Sequence, residues 1–176
     1  MKATGIIRRI DELGRIVVPK EIRKNLRIKE GENLEIFIDE NDNIVLKKYS
    51  LIKRMDDLAQ NFTDAIYSFI KHNVIIMDNN TILAASGNLK KEYKNKEISP
   101  EMENKITRRE EMIEKHSKKL NIIDDKEIQA TYAISPIIVN GDTIGAVMIF
   151  NIDTQVEDVD FKLVQIVSKF ISSHLE

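Results

Sequence analysis

Basic side chains are concentrated in the first 29 residues of this 176-residue chain, where nine lysines and arginines stand against three acidic residues. Guanidinium groups present paired donors that match phosphate oxygens, so such a cluster indicates binding to a polyanion. The following 17 residues carry six acids and no base. The formal net charge of −2 is therefore a sum in which the charges of a basic segment and an adjacent acidic segment cancel. Charge alone leaves a second interpretation open, in which both segments form an ordinary solvated surface.

Residues suited to catalysis or metal binding are few. The chain has no cysteine, which excludes disulfides, thiolate metal sites and thiol nucleophiles. His72, His116 and His174 are too far apart in sequence to indicate a zinc site. The acidic pairs at 56–57 and 124–125 are adjacent residues, whose side chains diverge on a helix. We therefore predict no catalytic residue, no metal site and no cofactor, and a protein that is not an enzyme.

Short secondary-structure elements carry the basic residues. We predict strands at residues 4–10, 15–18, 34–39 and 44–49, and one helix at 19–26 with Pro19 in its first turn. A turn containing Gly14 joins the first two strands. Four short strands in about fifty residues bury little apolar surface, and small domains of this kind commonly pair with a second copy. We expect residues 1–50 to be such a domain.

Residues 51–176 are predicted to form a second domain. We expect a helix capped by Ser50, a hairpin at 74–86, a charged and helical segment at 88–127, a second hairpin at 131–150 and a final helix. Asn140-Gly141 suits a type I′ turn in the second hairpin, and Ser99-Pro100 suits the start of a helix in the charged segment. Thr154 and Glu157 match the capping-box pattern for the last helix. This order predicts an α+β fold, an antiparallel sheet flanked by helices.

Apolar residues recur at steps of three and four along the first and last helices of this second domain. The first seam comprises Leu51, Met55, Leu58, Phe62, Ala65 and Phe69, and the second seam comprises Val156, Val159, Leu163, Ile166 and Phe170. Each seam could pack on the sheet of its own domain, or on the helices of another copy of the chain.

The N-terminal segment contains the ordered string Asp-Glu-Leu-Gly-Arg at 11–15, followed by Val-Val-Pro at 17–19. With its flanking residues, this string resembles the AbrB family of transition-state regulators. The resemblance implies that two chains intertwine into one swapped-hairpin β-barrel, and that this barrel binds double-stranded DNA.

The same resemblance implies particular DNA contacts, by Arg8, Arg15, Arg23 and Lys24. Lys24 stands where the family usually has a second arginine, so the charge is kept but a bidentate contact is not. Three further residues are candidate phosphate neighbours by charge alone: Lys2, Arg9 and Arg27.

The C-terminal segment resembles a GAF domain in its order of elements, an order that a PAS domain would share. This resemblance implies a domain for sensing or oligomerisation at 51–176, whose small-molecule ligand is unknown. Tyr132 and residues 84–87 could line a pocket, or they could be ordinary core and turn residues.

The whole chain is similar to AbrB-family regulators of endospore-forming bacteria that carry a long C-terminal domain. This implies a transcriptional regulator of sporulation, acting on forespore genes as activator and repressor. We expect a dimer through the N-terminal domains and a tetramer through the C-terminal helices. The N terminus lacks the apolar region of a signal peptide, and the apolar runs are too short to span a bilayer, so we expect a cytoplasmic, nucleoid-associated protein without a membrane partner. The alternative is an antitoxin-like or scaffold protein that uses its N-terminal domain mainly for dimerisation and protein binding.

Overall fold

A computed structural model describes residues 4–28, 30–124 and 126–176 of the chain. Two compact units are present, Met1–Tyr49 and Ser50–Glu176. The first unit carries the basic segment, and the second unit carries the two apolar seams.

The N-terminal unit contains one short helix and one hairpin. Helix α1 spans Lys20–Asn25 and follows Pro19, whose fixed φ of −59° suits a helix start. Strands β1 (Leu34–Ile38) and β2 (Ile44–Lys48) form an antiparallel pair. In the turn between them, the Asp39 carboxylate accepts hydrogen bonds from the backbone N–H groups of residues 41 and 43.

The strands expected at residues 4–10 and 15–18 are absent from the described part of this unit, so that prediction is wrong for the single chain. A strand needs a neighbouring backbone to accept and donate its hydrogen bonds, and here β1 and β2 pair only with each other. The apolar residues of the two segments consequently remain in solvent: Ile7 is 90% exposed and Val17 is 73% exposed. Helix α1 likewise buries none of its residues.

The C-terminal unit is built on a five-stranded antiparallel sheet of order β4-β3-β7-β6-β5. The strands are β3 (Asn73–Asp78), β4 (Ile82–Ser86), β5 (Met112–Ile123), β6 (Lys126–Val139) and β7 (Asp142–Asn151). The helices are α2 (Asp56–Ile70), α3 (Lys90–Tyr93), α4 (Pro100–Thr107) and α5 (Asp158–Leu175). The predicted α+β fold of this segment is confirmed.

Both faces of this sheet are covered, because successive residues of a strand point to opposite sides. On one side, Ile76 and Val147 share a core with residues of α2 and α5, such as Ile66 and Val167. On the other side, Met77 and Phe150 share a second core with α3 and α4. The strands therefore contain long runs of buried residues.

Two local predictions are confirmed. Asn140 and Gly141 both have positive φ, 50° and 85°, in the tight connection between β6 and β7. Helix α4 begins with Pro100, and the Ser99 hydroxyl caps it by accepting a hydrogen bond from the Met102 N–H at 3.2 Å.

The charged segment at 88–127 is not mainly helical, which corrects the sequence prediction. It contains β5, an edge strand of twelve residues that pairs with β6. The register of this pairing shifts between Glu114 and Lys118, which form a bulge. Within the bulge, the Glu114 carboxylate accepts a hydrogen bond from the His116 N–H. The bulge and the exposed lysines interrupt the alternation that would have marked a strand.

The other two predicted helix caps of the C-terminal unit are corrected. A 3₁₀ turn, Ile52–Met55, precedes α2, and the hydroxyl of Ser50 is buried without a hydrogen-bond partner among the described residues. At α5 the capping box joins Glu157 to Asp160, whose carboxylate accepts from the Glu157 N–H at 2.7 Å. The Thr154 hydroxyl instead lies 3.3 Å from Nε2 of the His72 imidazole.

Candidate nucleic-acid interface

The string at residues 11–15 forms a closed turn that presents Arg15. The Asp11 N–H donates to the Arg15 carbonyl at 3.1 Å, and the Gly14 N–H donates to the Asp11 carbonyl at 2.9 Å. Gly14 has a φ of 75°, a value that residues with a Cβ rarely adopt. The glycine of this string is therefore a requirement of the turn.

The carboxylate of Asp11 fixes both the turn and the arginine. It accepts hydrogen bonds from the N–H groups of Leu13 at 3.0 Å and Arg15 at 2.8 Å, and from Arg15 Nε at 2.7 Å. The Arg15 N–H, followed by its guanidinium, lowers the pKa of Asp11. The Arg15 side chain nevertheless stays 70% exposed, so its terminal guanidinium nitrogens remain accessible to a ligand.

The other predicted DNA contacts lie on two different segments of the same unit. Arg8 and Arg9 are exposed on the extended chain before the turn. Arg23 and Lys24 occupy the last turn of α1, where Lys24 is exposed and Arg23 is half-buried. Arg23 Nε is buried and has no hydrogen-bond partner among the described residues.

Three further basic residues belong to the same unit. Arg27 follows α1 with a positive φ of 51°, and its carbonyl accepts from Lys48 Nζ at 2.8 Å. Lys20 is exposed at the start of α1, and the sequence prediction did not include it among the contacts. Lys2 lies outside the described residues.

The role of Asp11 was missed by sequence reasoning, which counted this residue only as a negative charge. The signal was present, because aspartates commonly bond to backbone N–H groups two residues on, and a glycine follows three positions later. Asp11 is therefore a positioning residue for Arg15.

The two seams of the C-terminal unit are not the helix faces that pack most deeply on the sheet. The sheet-facing residues of α2 and α5 include Ala59, Thr63, Val164 and Val167, all buried. Met55 and Val156 of the seams are buried, but four other seam residues are more exposed: Phe69 is 87% exposed, Ile166 63%, Val159 54% and Phe170 46%. Phe62 meets Phe170 edge to face at 5.1 Å, which joins the two seams. Together these residues form an outer apolar surface on α2 and α5.

Tyr132 and most of the 84–87 stretch are buried among core residues. Tyr132 and Ala85 belong to the core beneath α3 and α4, and Ala84 belongs to the core beneath α2 and α5. The Ser86 hydroxyl is buried against Thr63, at 2.9 Å. The interpretation as core and turn residues therefore holds.

Clusters of metal-ligating side chains and membrane-spanning helices are absent from the described residues. Over residues 4–28, 30–124 and 126–176, no three or more histidine, aspartate or glutamate side chains are grouped to hold a metal ion. Within the same ranges, no helix combines the length and hydropathy needed to cross a bilayer.

Comparison with solved structures defines the class of the C-terminal unit. It superimposes on the GAF domain/HD domain protein from Geobacter sulfurreducens with a TM-score of 0.51, at 10% identity over 72% of this chain and 93% of that one. The unit thus has a GAF fold, and the resemblance based on element order is confirmed. The N-terminal segment is 55% identical over 49 residues, 28% of this chain and 50% of the relative, to the transition state regulatory protein AbrB of Bacillus subtilis (strain 168).

An AbrB-like segment joined to a GAF-fold unit defines a class of DNA-binding regulator. A family model described as "Stage V sporulation protein T C-terminal, transcription factor" matches residues 54–176. Over its full length the chain is 44% identical to stage V sporulation protein T of Bacillus subtilis (strain 168), of which it covers 99%. The chain belongs to this stage V sporulation protein T family of transcription factors. A second model, "Antidote-toxin recognition MazE, bacterial antitoxin", matches residues 7–54.

Proposed function

We propose that this protein regulates transcription during sporulation by binding double-stranded DNA through its N-terminal units. The observation that carries the proposal is the charge of residues 4–28, which hold seven basic and three acidic side chains. Six of the seven basic residues are exposed. Such a surface neutralises phosphates and releases counterions, which is the main source of sequence-independent DNA affinity.

Two N-terminal units form one DNA-binding body. Within a single chain, Ile36, Ile38 and Ile44 of the β1–β2 hairpin are between 68% and 73% exposed, although isoleucine is normally buried. The segments at 4–10 and 15–18 have no strand partner among the described residues. A second copy supplies both the strand partners and the missing core, in a swapped-hairpin barrel with the two basic segments related by symmetry.

Individual residues have different roles in this interface. Arg8, Arg15 and Arg23 supply planar donors for phosphate or base edges, whereas Lys24 acts as a point charge. Lys2, Arg9 and Arg27 add phosphate contacts.

The protein binds DNA and does not catalyse a reaction, and its site of action is the nucleoid, in the cytoplasm. The target genes are those of the forespore, with activation or repression depending on the promoter.

The C-terminal GAF unit assembles dimers into a tetramer through the outer apolar surface of α2 and α5. Residues such as Phe69 and Ile166 are large, apolar and mostly exposed, and they follow the spacing of helices that pack on other helices. Burying this surface brings two DNA-binding bodies into one assembly. The tetramer thereby gains avidity on DNA that carries two sites.

The direct test measures DNA affinity of the full-length chain at several salt concentrations. We expect the affinity for an A+T-rich promoter duplex to fall steeply with salt. The logarithm of the binding constant should fall with the logarithm of the salt concentration, with a slope of about −0.9 per phosphate contact. The variant R15A should lower affinity and flatten the slope by about 1.8, because a dimer loses two contacts. R108A, which removes an exposed arginine of the C-terminal unit, is the matched control.

Two results would contradict the proposal: no binding to this duplex at low salt, or identical slopes for R15A and the unmodified protein.

An antitoxin-like function is the second candidate, favoured by the MazE model that matches residues 7–54. The compact GAF unit weighs against it, since this unit begins at Ser50, where such an antitoxin would have a disordered segment that folds on a toxin. Copurification of a small toxic protein with the intact chain would support this second candidate.

A further inference from the structure

A cavity of about 360 Å³ lies at one end of the GAF unit. Three segments line it: residues 70–73 at the end of α2, residues 88–89 after β4, and residues 151–154 between β7 and α5. A cavity of this volume suits a small molecule, since such sites commonly measure about 300–1,000 Å³. None of the candidate DNA-binding residues lines it.

Two asparagines of the lining, Asn73 and Asn151, have side-chain oxygens that already accept hydrogen bonds. Asn73 Oδ1 accepts from the Leu89 N–H at 3.1 Å. Asn151 Oδ1 accepts from the N–H groups of Asp153 at 2.9 Å and Thr154 at 3.2 Å. These backbone donors fix the amide orientations, so each asparagine is left with its NH₂ group for another partner.

Lys71 adds a cation to this lining. It ends α2 with a left-handed φ of 60°, and its Nζ lies 5.4 Å from the centre of the Tyr67 ring. Its side chain is exposed, and Asp153 is the acidic residue that also lines the cavity.

His72 connects the cavity to a buried carboxylate. Its Nδ1 atom lies 3.2 Å from Asp160 Oδ2, and Asp160 is 1% exposed. Its Nε2 atom lies on the other side of the ring, 3.3 Å from the Thr154 hydroxyl that lines the cavity. An anion bound on the Nε2 side would accept a hydrogen bond from the Nε2–H group.

Apolar side chains complete the lining, from Ile70, Leu89 and Ile152. A ligand that fits this combination has one negative group and a short apolar body. We propose that the cavity is a binding site for a small organic anion, with Lys71 and His72 at its charged group and the three apolar residues around its carbon chain. The site joins the end of α2 to the loop before α5, and no residue of the two seams lines it.

The test uses butyrate as probe, butyramide as its uncharged counterpart, and the full-length protein. Saturation-transfer NMR detects weak binding to a large assembly by transfer of magnetisation to the ligand. We expect saturable transfer to butyrate and roughly tenfold weaker binding of butyramide, which lacks the charge-assisted hydrogen bonds. If inorganic phosphate displaces butyrate, the site also accepts phosphate groups; if it does not, the site is specific for carboxylates.

Two variants separate a defined site from a general ionic effect. K71N removes the cation and keeps a residue that tolerates the left-handed backbone, so the unit should stay folded. It should weaken butyrate binding about tenfold. K96N removes an exposed lysine that does not line the cavity, and binding should be unchanged. Equal binding of butyrate and butyramide, equal weakening by both variants, or no saturable transfer to butyrate would each overturn the proposal.

Discussion

Replacing Ile166 with serine tests the proposed assembly most sharply. Ile166 lies on the outer apolar surface of α5, and it is 63% exposed in the single chain. The adjacent Val167 is 4% exposed and packs against the sheet. I166S therefore removes apolar surface from the contact between dimers while leaving the sheet-facing side of the helix intact.

The size of the effect follows from the exposed fraction. Complete burial of an isoleucine side chain stabilises by roughly 2.5 kcal/mol, so burying the exposed 63% contributes about 1.5 kcal/mol per chain. Four chains in a tetramer contribute about 6 kcal/mol, which corresponds to roughly four orders of magnitude in the dissociation constant for tetramer into dimers.

Size-exclusion chromatography with light scattering, over a wide range of protein concentration, measures the mass directly. We expect the unmodified chain to elute as a tetramer and I166S to elute as a dimer until the concentration is high. K169S is the matched control, because Lys169 is an exposed residue of the same helix outside the seam. A tetramer of I166S that persists on dilution like that of K169S would refute the reasoning, as would an unmodified chain no larger than a dimer.

Three other predictions concern local geometry. G87A should destabilise the protein by about 3 kcal/mol in chemical denaturation, because Gly87 has a φ of 122° and a Cβ would lie 2.9 Å from the backbone Cα of Asn73; a loss below about 1 kcal/mol would contradict this. D11A should weaken DNA binding, because Arg15 loses the carboxylate that positions it, even though the substitution removes a negative charge. E12A makes the same charge change and should not weaken DNA binding. Equal effects of the two substitutions on DNA affinity would favour simple electrostatics. The pKa of Asp11 is lowered in the folded turn, so its stabilising contribution is present at neutral pH and is lost as the pH falls through that lowered value. An NMR titration of the Asp11 carboxyl carbon should give a midpoint below that of Asp11 in a denatured chain.

The sequence predicted the elements whose signals are local. Asn140-Gly141 requires positive φ at two successive residues, and few structures other than a tight hairpin provide it. Ser99-Pro100 likewise combines a cap with a residue suited to the first turn. Strand β5 was missed because its bulge at residues 114–118 breaks the alternation and because an edge strand tolerates charged side chains.

For the candidate site, the sequence predicted the residue types better than their arrangement. The turn around Arg15 could be anticipated, because all its hydrogen bonds join residues within four positions. The strands expected at 4–10 and 15–18 were wrong for the single chain, because a strand needs a neighbouring backbone and these segments have none beside them among the described residues. The Thr154 cap was wrong for a similar reason, since His72 lies 82 positions away and no local pattern indicates it.

The tethering of Arg15 to Asp11 shifts an entropic cost from binding to folding. An arginine loses as much as ~2 kcal/mol of rotamer freedom when its side chain is immobilised. Here the Nε contact at 2.7 Å restricts the side chain before any DNA is present. Much of the side-chain entropy of Arg15 is then already lost in the free protein. Less of the favourable free energy of contact with DNA is therefore offset by entropy when DNA binds.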